Sequence, residues 1–171
     1  LKPDIVVYGK ALGNGYAISS IVGKNYYLQE ANKTFISSTA WTERIGFVSA
    51  LKVIEILKKK NYSHISKISK IIKNDWMNYS SMYKIKIKVN NYVSIPSFQF
   101  NHGNKNEELY TLFTKFFLQK KILATNSLYL SFAHNSKNIA IYRKNLDFVF
   151  KNLSHHLIRN KKIKKKSLRK F

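Results

Sequence analysis

Lys10 is the residue whose type and setting could do chemistry. It stands in Val6-Val7-Tyr8-Gly9-Lys10-Ala11-Leu12-Gly13-Asn14-Gly15-Tyr16, where an apolar run that begins at Ile5 gives way to glycine-rich sequence. The run predicts a short buried strand and the glycines a loop after it. A lysine at that junction is held on a rigid element yet reaches a cleft. Partly desolvated, it can shed its proton, and the neutral amine can attack a carbonyl to form a Schiff base. Gly9, Gly13 and Gly15 would let the backbone approach a bulky ligand and take angles that other residues resist. The same residues also read as a solvated lysine beside a turn. Gly13-Asn14-Gly15 lacks the third glycine of a dinucleotide fingerprint, and Gly9-Lys10 lacks the flanking residues of a phosphate-binding P-loop.

A second cluster, Ser37-Ser38-Thr39, precedes a helix predicted over 42–59. Hydroxyls and free backbone N–H groups there suit a phosphate dianion, and a plain helix-capping turn is the alternative. Glu43 and Arg44 fall in that helix's first turn and read as a surface ion pair. The histidines at 64, 102, 134, 155 and 156 have no carboxylate partners at ligand spacing, so no metal site is expected. His134 alone follows a predicted strand, and a structural or surface role suits it best. Cysteine is absent, which excludes disulfides and thiolate catalysis. The serines and histidines form no hydrolase motif.

These residues carry a family resemblance. The stretch Lys2-Pro3-Asp4-Ile5-Val6-Val7-Tyr8-Gly9-Lys10-Ala11-Leu12-Gly13-Asn14-Gly15-Tyr16 resembles the lysine segment of class III aminotransferases, especially their glutamate-1-semialdehyde 2,1-aminomutase-like branch. Thr34-Phe35-Ile36-Ser37-Ser38-Thr39-Ala40-Trp41-Thr42-Glu43-Arg44-Ile45-Gly46 is similar to the family segment whose threonine binds the cofactor phosphate across a dimer interface. The resemblance implies pyridoxal 5'-phosphate (PLP) as cofactor, held by Lys10 through a Schiff base. It implies Thr39, with Ser38 beside it, as the phosphate contact, a small amino or keto substrate, and a homodimer. The implied fold is α/β, a fold-type-I PLP-dependent transferase. Residues 1–59 would be the end of the large domain, 60–160 the small C-terminal domain, and 161–171 a basic tail. The family's phosphate loop, ring-stacking aromatic and ring-nitrogen aspartate lie N-terminal to the lysine, so the chain is expected to be the C-terminal portion of such an enzyme. Ala17 departs from the family, where a proline commonly follows Gly-Tyr, and Lys115-Phe116-Phe117 replaces a more polar segment.

The elements that must position these residues are legible from periodicity. Strands are predicted over 17–22, 84–89, 97–100 and 129–132. Helices are predicted over 42–59, 63–79 and 136–159, with another whose buried face is Leu109, Leu112, Phe113, Phe116 and Phe117. Asn104 and Glu107 are spaced as a capping pair for the latter. Residues 24–32 read as a short helix or loop.

Composition bounds the partners. At 171 residues and 44% hydrophobic content the chain can build a packed core. A formal net charge of +23, from 31 Lys+Arg against 8 Asp+Glu, would ordinarily suggest nucleic acid or an anionic membrane. The lysines are interspersed with Asn, Ile, Tyr and Phe throughout, a bias typical of AT-rich coding, and we read them as solvating faces. Neither a nucleic-acid nor a membrane partner is expected, no run of about 18 apolar residues occurs, and cytoplasm is the default location. An inactive truncated remnant or structural half-subunit, and a basic nucleic-acid-binding module, are the alternative functions.

Overall fold

The computed structural model describes residues 2–60 and 62–159. The chain divides into two compact units, Leu1–Asn61 and Tyr62–Phe171. The basic stretch 161–171 lies outside the described residues.

In the first unit, β1 (Ile5–Tyr8) pairs antiparallel with β2 (Ser20–Gly23), Ile5 opposite Gly23 and Tyr8 opposite Ser20. A short helix, α1 (Asn25–Leu28), runs directly into a 3-10 turn at Gln29–Lys33. The long helix α2 (Arg44–Lys59) ends in Lys58 and Lys59, which complement its negative C-terminal pole. The apolar residues of this unit are not buried as their pattern predicts. Val7 is 67% exposed, and Val48 and Leu51 on α2 are 65% and 69% exposed. A two-stranded ribbon and a single long helix supply too few layers to cover either apolar face. What α2 does bury is its small face, Gly46 and Ala50.

The second unit has the core. Here α3 (Ser63–Met82), α4 (Asn106–Gln119) and α5 (Ser136–Arg159) pack with the antiparallel pair β3 (Ile87–Val89) and β4 (Phe98–Phe100). Ile65, Ile68, Ile72 and Trp76 form the buried stripe of α3 at the helical repeat. Trp76 is fully buried, edge-on to Phe98 at 4.9 Å between centroids. Its Nε1–H donates to Tyr142 Oη at 2.8 Å, and the Tyr142 ring stacks on Phe117 at 4.9 Å. Burial pushes the Tyr142 phenol well above the usual tyrosine range, so it stays protonated. Beside this pair, Arg143 donates two hydrogen bonds to the Asp75 carboxylate, tying α5 to α3 again.

Three local departures from the sequence reading have physical causes. First, α3 continues to Met82, and the strand predicted from 84 starts at Ile87. Lys84 takes a left-handed conformation (φ 55°), Lys84 N–H donates to Ser81 O and Ile85 N–H to Ser80 O. That is a Schellman helix end, with Ile85 buried against the core. Second, 129–132 is not a strand. The extended pairing lies slightly earlier, where Leu128 N–H donates to Pro96 O and Leu130 N–H to Ser94 O, each at 3.0 Å. Pro96 has no N–H to return, so the ladder stops at a single bridge, Ser97 to Ser127. Third, Asn104 lies inside a 3-10 turn, Gly103–Lys105, and α4 begins at Asn106. Asn106 Oδ1 takes the local role by accepting from His102 N–H at 2.7 Å.

His102 closes the open end of β3. Its Nε2 accepts from Lys86 N–H at 2.8 Å, a bond only the neutral ring can make. Burial, followed by the charges of Lys86 and Lys105, lowers its pKa below the ordinary histidine value. The neutral form is therefore favoured on folding. Its contribution is fully present above the unfolded-state pKa of about 6.5 and is lost as pH falls through the lower folded-state value. The urea midpoint of the second unit should fall between pH 7.5 and pH 5. In His102→Gln, whose amide oxygen accepts the same bond without titrating, that fall should be smaller.

Candidate functional site

The sequence singles out Lys10, and the backbone around it is unusual. β1 ends at Tyr8, and Lys10 opens a 3-10 turn, Lys10–Leu12, with φ at 47°. A left-handed conformation is uncommon for a non-glycine residue and persists only where its surroundings hold it. Here the Lys10 carbonyl accepts from both Gly13 N–H (3.2 Å) and Asn14 N–H (3.0 Å), while Leu12 N–H closes onto Gly9 O. The Lys10 side chain is exposed. An apolar cleft of about 450 Å³ lies beside it, lined by its neighbours Gly9 and Ala11 together with Tyr8, Leu12 and, from α2, Ile54 and Leu57.

Two contacts fasten α2 to this loop. Ser49 Oγ donates to Gly13 O at 2.6 Å. Gly46 faces Ala17 so closely that a Cβ there would stand 2.6 Å from the Ala17 carbonyl oxygen. Gly13 is equally committed, since a Cβ would meet Tyr16 O at 2.0 Å. Sequence reasoning missed Ser49 and Gly46 as positioning residues. The available signal was a small-residue stripe, Gly46, Ser49 and Ala50, at three- and four-residue spacing on a helix otherwise rich in large apolar side chains.

Ser38 and Thr39 lie in an exposed turn ahead of α2, where Trp41 N–H donates to Ser38 O and Glu43 N–H to Ala40 O. Ser38 Oγ accepts from Ala40 N–H at 3.3 Å. The Thr39 hydroxyl has no protein partner among the described residues. A second cleft, of about 310 Å³, is lined by Ser38, Trp41, Glu43 and Phe47 with Ala17 and Ile18. Neither cleft is lined by Lys10 or Thr39 themselves. Both motifs are tied to the 13–18 loop, but neither of these two clefts unites the lysine with the hydroxyls. Glu43 and Arg44, expected as an ion pair, do not form one among the described residues. Among those residues no group of three His, Asp or Glu side chains is placed to hold a metal. His134 holds a turn, its Nδ1 accepting from Ser131 N–H at 3.1 Å.

No family model matches the chain. It is 50% identical over 60 residues to 3-aminobutyryl-CoA aminotransferase of Cloacimonas acidaminovorans, covering 34% of this chain and 14% of that protein. It is 31% identical over 104 residues to glutamate-1-semialdehyde 2,1-aminomutase of Methanococcus maripaludis, covering 59% of this chain and 24% of that one. The FumI protein of Sphingopyxis sp. MTA144, solved in its PLP internal aldimine form, superposes with a TM-score of 0.81 at 17% identity, covering 91% of this chain and 38% of that chain. A PLP-bound transaminase gives 0.77 at 13% identity, covering 90% and 39%. The chain has the fold of part of a PLP-dependent transaminase. The fold-type-I expectation is thus met, and the curated relatives are the aminotransferases and aminomutases of class III. The matched segments span a quarter or less of those two curated relatives' length. No described helix is long and apolar enough to cross a membrane.

Proposed function

We propose that this chain is the lysine-bearing portion of a PLP-dependent class III aminotransferase or aminomutase, with Lys10 as the residue that holds the cofactor. The observation that carries the reading is Lys10 itself, an exposed primary amine on a left-handed turn clamped by Gly9, Gly13 and Asn14, in a chain whose relatives are aminotransferases. The donor set suits the group. Lys10 offers an amine to an aldehyde, and Ser38 and Thr39 offer hydroxyls to a phosphate. In keeping with the family resemblance of the 34–46 segment, the hydroxyls are read as serving a cofactor held by a second subunit, which would make the working unit at least a dimer.

When bound, PLP supplies the electron sink that makes a proton on the substrate α-carbon acidic. With its amine free, Lys10 Nζ would take that proton as general base and return it as general acid. The turn hydrogen bonds and the Ser49 clamp fix the backbone from which the Lys10 side chain projects. The amino donor and acceptor are small molecules, and both transfer between two substrates and transfer within one substrate fit this arrangement.

Incubation with PLP followed by borohydride, with peptide mass spectrometry, tests the assignment. A covalent label on Lys10 that vanishes in Lys10→Ala is the expected result. The absence of a label on Lys10 under saturating PLP, or equal labelling of many exposed lysines, would overturn it in favour of a structural half-subunit.

A further inference from the structure

The second unit contains a pocket that the proposed chemistry does not use. One face of α3, carrying Ser66, Ser69, Lys70, Lys73 and Met77, looks onto the 89–93 segment after β3, and the space between is about 290 Å³. These positions recur at three- and four-residue intervals, so they form one stripe. Within that stripe Ser69 is anomalous. It is 1% exposed, in the company of Ile65, Ile68 and Ile72, and its Oγ is the one buried side-chain polar atom among the described residues with no hydrogen-bond partner. An orphaned buried hydroxyl is costly, and alanine would fill the same space without that penalty. A donor held at such a position calls for an acceptor that enters the pocket.

The charges identify the acceptor. Lys70 and Lys73 line the pocket and no acidic residue does. Asp75, the acid nearest in sequence, is engaged by Arg143. Lys73 Nζ donates to Tyr92 O at 3.3 Å, which draws the 89–93 segment over the cleft. Ser66, Asn74 and Asn91 add hydrogen-bonding groups with no side-chain partner among the described residues, and Met77, Val89 and Val93 give one apolar wall. We propose that this pocket binds the oxyanion group of a small molecule, phosphate or carboxylate, with Ser69 Oγ–H as donor, Lys70 and Lys73 as counter-charges, and the apolar wall against the rest of the ligand.

Thermal unfolding of the full chain at fixed ionic strength tests this, with inorganic phosphate in one arm and butanoate in the other, each balanced against chloride. Saturable stabilisation by either is expected, and the arm that responds tells phosphate from carboxylate. Lys70→Gln or Lys73→Gln should weaken the apparent affinity about tenfold, the loss of one charge-assisted bond. Lys67→Gln, on α3 but outside the pocket, should leave it unchanged. Ser69→Ala should weaken binding while leaving the ligand-free midpoint unchanged or higher, because it removes an unpaired polar group. Stabilisation that never saturates, or that all four variants share equally, would show general screening of a basic chain and overturn the proposal. So would the absence of stabilisation in both arms.

Discussion

Trp76→Ala should lower the stability of the second unit by about 3–5 kcal/mol, the range for removing a large buried aromatic. Trp76 is fully buried, lies edge-on to Phe98, and through its indole N–H holds the Tyr142 hydroxyl that spans α3 and α5. The substitution removes ring packing and strands a buried phenol at once. Urea denaturation followed by far-UV circular dichroism measures it, since the remaining tryptophan, Trp41, lies in the first unit. A cycle with Trp76→Phe and Tyr142→Phe separates the two effects. Trp76→Phe alone leaves the Tyr142 hydroxyl unpaired, at about 1–3 kcal/mol, and the double variant should recover part of that loss. Additive effects would mean that the hydrogen bond contributes nothing beyond packing.

Gly46→Ala should damage the seat of α2 on the lysine loop although it adds one methyl group. The added Cβ would stand 2.6 Å from the Ala17 carbonyl oxygen, a backbone atom that cannot swing aside as a side chain can. Overpacking of this kind costs about 1–3 kcal/mol. Here the strain falls on the contact that seats α2 against the lysine loop, and it pulls Ser49 Oγ away from Gly13 O. The readout is the rate of PLP–borohydride labelling at Lys10, which should fall several-fold with circular dichroism of the second unit unchanged. Ser49→Ala should give a milder version, about 1 kcal/mol for one hydrogen bond. Labelling in Gly46→Ala at the unaltered rate would mean that α2 does not position Lys10.

How far the sequence predicts this structure depends on the range of the interaction concerned. Helices were legible because Ile65, Ile68, Ile72 and Trp76, or Leu109, Leu112 and Phe113, repeat along one face and do face a core. The end of α3 was not, because alternation of lysine with isoleucine from 84 onward reads as strand while Lys84 adopts the left-handed angle usually reserved for glycine. The missing strand at 129–132 turned on one absent N–H at Pro96, a pairing 32 residues away from Leu128. In the site, Lys10 and the hydroxyl turn are visible as residue types in a motif. Their fastening to α2 through Gly46 and Ser49 is a matter of approach distances, which composition and spacing do not encode. The apolar face of α2 predicted burial that this chain's own first unit does not provide.

That shortfall in burial bears on how the lysine segment behaves in solution. Among the described residues, Ala50 is the one buried hydrophobic residue of the first unit, and β1 and β2 form a two-stranded ribbon. Local opening there requires little free energy, so its amides should exchange with solvent long before those of Trp76 or Leu146. For these residues taken by themselves, the loop carrying Lys10 would exchange between competent and frayed populations, and an affinity measured at Lys10 would be scaled down by the competent fraction. Whatever covers the exposed faces of α2 and the ribbon raises that fraction and so tightens binding at the lysine, without touching it.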